Sequence, residues 1–81
     1  MPRIPRDLSG PALIRGLTAL GYAVTRQTGS HVRLTTEQPT THHLTVPLHT
    51  PLRIGTLAAI LAAVESHHQL SREELLKLIM R

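Results

Sequence analysis

The stretch GYAVTRQTGSHVRLTTEQPTTHHLTVP, residues 21–47, decides the fold. From Tyr22 to Thr28, Tyr22 and Val24 fall on one parity and Ala23 and Thr25 on the other. Thr28-Gly29-Ser30 turns the chain, and His31 to Thr36 follows, with Val32 and Leu34 alternating against His31 and Arg33. A longer turn, Glu37 to Thr41, leads into His42 to Val46, where Leu44 and Val46 alternate against His43 and Thr45, and Pro47 ends the segment. A period of two puts one face of each strand on a core and leaves the other to solvent. The expected unit is a three-stranded meander whose apolar face lies on helices.

Those helices are found on either side. Upstream, Gly10-Pro11 opens a helix with Ser9 or Gly10 as N-cap, because proline in the first turn loses no needed N–H. Leu13, Leu17 and Leu20, with Ile14 alongside, form its apolar stripe, and Gly21 supplies the left-handed residue that ends it. Gly16 is unfavourable in mid-helix by about 1 kcal/mol against Ala, which points to a close backbone approach there. Downstream, Pro47 to Gly55 reads as a loop and Thr56 as the N-cap of a helix from Leu57 to about Ser66, with Leu57, Ile60, Leu61 and Val64 buried. Alanines fill most other positions, so this helix is apolar nearly all round and needs cover on a second side. Ser71 and Glu74 make a capping box for a last helix through Met80, whose Leu75, Leu78 and Ile79 supply that cover. Met1 to Asp7, with two prolines, reads as an extended lead-in. The class is α+β, in the order α-β-β-β-α plus a C-terminal helix. One domain spans residues 1–81, with its core in 9–66 and the final helix at 71–80.

Composition narrows the function. The chain has 81 residues, and nine Lys and Arg against five Asp and Glu give a net charge of +4. Every basic residue except Lys77 is arginine, an excess that points to a polyanion, most simply nucleic acid. Tyr22 is the single aromatic, which argues against a base-stacking platform. The absence of cysteine excludes a disulfide scaffold, a Cys-ligated metal site and a thiol nucleophile, and suits a reducing cytoplasm. No apolar run approaches a membrane span, and the N-terminus lacks the apolar stretch of a secretory signal.

The turn Thr28-Gly29-Ser30-His31 is the most informative local site. His31 begins a strand on the parity opposite Val32 and Leu34, so it points away from the core, with Arg33 on the same face and Arg26 entering from the other strand. An imidazole, ordinarily titrating near pH 6.5, beside guanidinium groups suits phosphodiester cleavage. RNA carries its own nucleophile, the 2′-OH, so proton transfer and charge stabilisation suffice, with no metal or other cofactor. Arg26 and Arg33 are the first choices for the scissile phosphate, since guanidinium binds it bidentately. Arg15 and Arg53 extend a phosphate-binding surface. Ser30 either donates to a phosphate oxygen or fixes the turn. The bland alternative for His31 is a surface histidine beside a turn, and Arg72, Lys77 and Arg81 read as solvated charge. His42 and His43, adjacent on a strand, face opposite sides and are poor joint metal ligands. His67 and His68 close a helix, where protonated imidazole complements the dipole.

The ordered set Gly21-Tyr22, Arg26 ahead of Gly29-Ser30-His31, Val46-Pro47-Leu48-His49, and Leu52-Arg53-Ile54-Gly55-Thr56-Leu57 running on to Ile60-Leu61 closely resembles the HicA toxins of HicAB toxin–antitoxin systems. The resemblance covers about residues 9–66. It implies a double-stranded-RNA-binding-domain-like fold and a metal-independent endoribonuclease acting on mRNA, with the essential histidine at His31. It also implies a HicB-like antitoxin that occludes the site. His49 falls where the family motif has a histidine, and serves either as a second proton-transfer group, a phosphate contact or a loop-ordering hydrogen bond. Departures are Tyr22 where Trp is commoner, a loop whose basic residues reduce to Arg53, an Ala-rich second helix and the tail beyond Ser66. Two rival readings need less chemistry: a non-catalytic RNA-binding module of the same fold, or a degenerate toxin serving only as a protein-interaction subunit.

Overall fold

The computed structural model describes residues 4–80; the first three positions of the expected extended lead-in, and Arg81, lie outside them. The elements are α1 (Gly10–Leu17), a 3-10 turn (Thr18–Leu20), β1 (Ala23–Thr28), β2 (His31–Thr36), β3 (His42–Pro47), α2 (Ile54–His68) and α3 (Arg72–Ile79). This is the expected α-β-β-β-α order with an added C-terminal helix. The sheet is antiparallel throughout, in the order β1-β2-β3.

Alternation fixes the sheet's inner face. Val32, Leu34, Leu44 and Val46 are buried, and Leu34 stands opposite Leu44 as Val32 does Val46. Thr36 continues this face, and its hydroxyl donates to the Leu20 carbonyl at 3.2 Å, so a buried polar side chain is satisfied. The α1 and α2 helices pack on β3, and α3 packs on both helices. Leu13 and Leu17 of α1, the Leu57, Ile60, Leu61 and Val64 stripe of α2, and Leu75 and Ile79 of α3 close one core. Each fully buried leucine is worth roughly 1.5–3 kcal/mol. The expected cover of the second side of α2 is met only in part: Leu75 and Ile79 are buried and Leu76 packs against the core in place of Leu78, Ala58 and Ala63 are half-buried, and Ala59 and Ala62 stay exposed.

Helix ends follow side-chain chemistry where the sequence supplies it. Ser9 is the α1 N-cap, accepting from the Ala12 N–H at 3.2 Å. Gly21, at φ +83°, ends the 3-10 turn. Ser71 and Glu74 form the capping box, each side chain bonded to the other's backbone N–H.

The start of α2 differs from expectation. It begins at Ile54 with Arg53 at the N-cap and no side-chain cap, and Thr56 lies within its first turn. Leu52, buried and bonded through its N–H to the Leu8 carbonyl at 2.8 Å, anchors the chain, so the helix starts directly after it. Its C-terminus runs to His68, two residues beyond Ser66, and closes on Gln69 at φ 55° without a glycine.

Gly16 is where two helices meet. A Cβ there would lie 2.5 Å from the Ile79 carbonyl oxygen and 2.8 Å from the Ile79 Cβ, so only glycine admits α3 at this distance. Arg72, expected as solvated charge, instead pairs with Glu65 and ties the start of α3 to the last turns of α2. Lys77 is surface charge as expected, in an exposed pair with Glu73.

Candidate active site

Gly29 and Ser30 form a two-residue hairpin loop, with Thr28 opposite His31. Gly29 has φ +58° and Ser30 does not share the positive φ, the pattern of a type II′ turn, which requires glycine first and matches the strand twist. His31 therefore begins β2 at the tip of the hairpin, exposed and opposite Pro47 of β3.

A bulge brings Arg26 to this face. The β1–β2 register runs Val24 with Leu34 and then Arg26 with Arg33, leaving Thr25 as the extra residue. Strict alternation from Val24 would have turned Arg26 toward the helices. Directly opposed residues share a face, so the bulge sets Arg26 beside Arg33 on the outer face with His31. The Thr25 hydroxyl bonds the Thr35 hydroxyl at 2.9 Å, and Thr35 bonds His43 Nδ1 at 2.8 Å, a polar ladder across three strands that holds the bulge. Among the described residues neither arginine has a carboxylate partner. Like charges directly opposite one another destabilise a sheet, and a phosphate between them removes that cost.

The loop after β3 is tied to the same end of the molecule. The Leu48 N–H donates to the Ser30 carbonyl at 2.7 Å, and the Gly10 N–H donates to the His49 carbonyl at 2.9 Å. The segment bearing His49 is thus held between the hairpin turn and the start of α1, and its side chain is exposed. Arg53 is exposed in the same loop. The Ser30 carbonyl holds the loop after β3, and the Ser30 side chain is exposed. Arg15 is not brought to this face: it lines a groove between α1 and α3 with Ala12, Leu78 and Met80, in the helical layer.

A second constellation joins Tyr22 to three histidines, a grouping that sequence spacing did not show. The Tyr22 hydroxyl lies 2.7 Å from His42 Nδ1 and 3.1 Å from His68 Nε2. His67 Nε2 donates to the Thr40 carbonyl at 3.0 Å. The doublets His42-His43 and His67-His68 were the signal, but only tertiary packing sets one member of the first beside the second. As expected, His42 and His43 part to opposite faces. The Tyr22 hydroxyl is pushed up to about 12 by burial. The His42 and His68 imidazoles are pushed below the ordinary value, first by burial and then by neighbouring histidines. For His68, burial and the neighbouring His67 and His42 disfavour the proton that the helix C-terminus was expected to favour. Among the described residues no three His, Asp or Glu side chains are placed to hold a metal ion, and no helix is long and apolar enough to cross a membrane.

Nothing among curated proteins or solved structures matches the chain. Residues 10–65 match the family model described as HicA toxin of bacterial toxin-antitoxin, a span from the start of α1 to the last turns of α2 that includes the whole sheet, the Gly29-Ser30-His31 turn and the His49 loop. With more than half its length matched, and with that fold, the chain belongs to the HicA toxin family and is a toxin of a toxin–antitoxin system.

Proposed function

We propose that the protein is an endoribonuclease that cleaves mRNA in the cytoplasm, held in check by a HicB-like antitoxin. The observation that carries this reading is the cross-strand pair Arg26 and Arg33 on one exposed face with His31, made by the bulge at Thr25. RNA phosphate lies against the two guanidinium groups. His31 accepts the proton of the 2′-OH as that oxygen attacks the adjacent phosphorus, and the bond from phosphorus to the 5′-oxygen breaks. The leaving 5′-oxygen takes a proton, for which His49, exposed on the loop bonded to the hairpin turn, is the candidate donor. Arg26 and Arg33 stabilise the extra negative charge that develops on phosphorus. Arg53 and Ser30 add contacts at the same end of the sheet, and Arg15 contacts RNA only where it reaches around to the helical layer.

The test is controlled expression of the wild-type chain and of His31→Ala, with growth and mRNA integrity followed together. Growth arrest and mRNA cleavage by the wild type alone support the reading. Intact mRNA with the wild type, or equal cutting by the variant, removes it; salt-dependent RNA affinity without cleavage by either form establishes the binding-module alternative.

A further inference from the structure

The helical layer does not reach the first strand. Every residue of β1 is exposed, and α1 and α2 rest on β3 instead. Val24 shows the consequence most clearly: it stands opposite the buried Leu34 on the inner face, yet is 54% exposed. The other free edge differs, because the inward residues of β3, Leu44 and Val46, are covered. Strand β1 therefore presents a row of backbone N–H and C=O groups without a neighbour, an uncovered valine on one flank, and Arg26 with Arg33 on the other. An edge of that kind is a template for an added strand.

We infer that β1 is the docking edge for an extended segment of the antitoxin whose residues alternate apolar and acidic. The inference rests on the toxin–antitoxin pairing and is independent of RNA cleavage. An added strand sends successive side chains to opposite faces. Beside Val24, its side chain enters the inner flank, where apolar surface lacks cover. Beside Arg26 it enters the outer flank, where two arginines lack a carboxylate. Charge selects the occupant. A second copy of this chain, paired through its own β1, brings the Arg26 of one edge toward that of the other, with an Arg33 behind each, and like charges across strands repel. An acidic segment meets the same groups with opposite charge. Nucleic acid satisfies the arginines but neither the backbone row nor Val24. On the proposed function, an antitoxin seated there also competes with RNA phosphate for Arg26 and Arg33, so inhibition follows from shared contacts.

The experiment is amide hydrogen exchange on the full chain, alone and in complex with its antitoxin, with affinities measured for Val24→Lys and Arg26→Glu. Both positions are exposed, and thermal melts of the free variants confirm folding. The expected result is new protection across β1 in the complex, with each variant weakening the complex by about tenfold or more at low salt. Protection confined to β3 or the helices overturns the edge assignment while leaving the pairing intact. Failure of the antitoxin to bind at all removes the pairing itself, and with it the inference. Protection of β1 that rises with the concentration of the free chain makes a second copy the occupant, and protection by an RNA oligonucleotide alone makes nucleic acid the occupant; either outcome overturns the proposal.

Discussion

His42 and His67 stack ring on ring, with centroids 4.2 Å apart and planes inclined by 14°. The contact joins β3 to the last turn of α2, and Tyr22 and His68 complete it through the phenolic hydroxyl. The charges that bear on His42 and His68 come from neighbouring imidazoles, so a proton added to either meets like charge.

Stability should therefore fall with acid. The His42 and His68 imidazoles lie below their ordinary 6.5 in the folded chain. Between those lowered values and 6.5 the unfolded chain binds more protons than the folded one. Their contribution is complete above 6.5 and is lost as pH falls through the window. Thermal melts should show a lower midpoint at about pH 5.5 than at about pH 7.5, and His68→Gln should flatten the dependence. An unchanged melting temperature in the wild type removes the account.

Gly16→Ala should destabilise despite a gain of about 1 kcal/mol in helix propensity, because the new methyl meets the Ile79 carbonyl oxygen. Overpacking of this kind costs roughly 1–3 kcal/mol. Urea unfolding gives the answer, and a more stable variant contradicts the packing of α3 on α1.

Arg33→Thr should move stability and function in opposite directions. Removing one of two opposed guanidinium groups relieves a like-charge pair, a gain of roughly 0.2–1 kcal/mol in the denaturation midpoint. On the proposed function, RNA affinity should drop and the slope of log affinity against log salt should decrease by about 1. An unaltered slope places the phosphate contact elsewhere.

Ser71→Ala should loosen α3 from its first turn. The serine hydroxyl accepts from the Glu74 N–H at 3.1 Å, and the Glu74 carboxylate, held below the usual carboxylate range by its bonds to Ser71, accepts from the Ser71 N–H at 2.9 Å. Loss of the cap costs about 1 kcal/mol. Exchange of α3 amides should accelerate before that of the sheet, and uniform acceleration would show that α3 does not open separately.

Local rules carried much of the fold. Val32 and Leu34 set the second strand at His31–Thr36 residue for residue, Ser71 with Glu74 announced the last helix, and Gly16 signalled a close contact before its partner was visible. Each of these is decided within a few residues. The bulge is not: alternation assigns Arg26 to the Val24 side, and only pairing with β2 displaces it. The start of α2 escaped because its anchor, Leu52, is bonded to Leu8 across the fold rather than capped by Thr56. The histidine cluster escaped for the same reason, since Tyr22, His42 and His67 meet only after the helices dock. His31 was legible from its turn, whereas the opposition of its two arginines was not.

The seam between Gly16 and Ile79 has a consequence for the newborn chain. The meander pairs neighbouring strands and can form once residue 47 has left the ribosome, but the first helix waits for the last one. Until residues Leu75 and Ile79 emerge, α2 shows a bare apolar flank and α1 an empty notch. The face bearing His31 is thus assembled early on a domain whose interior is still open. During that interval the nascent chain exposes the apolar surface that the last helix later covers, which is when it is most open to proteolysis.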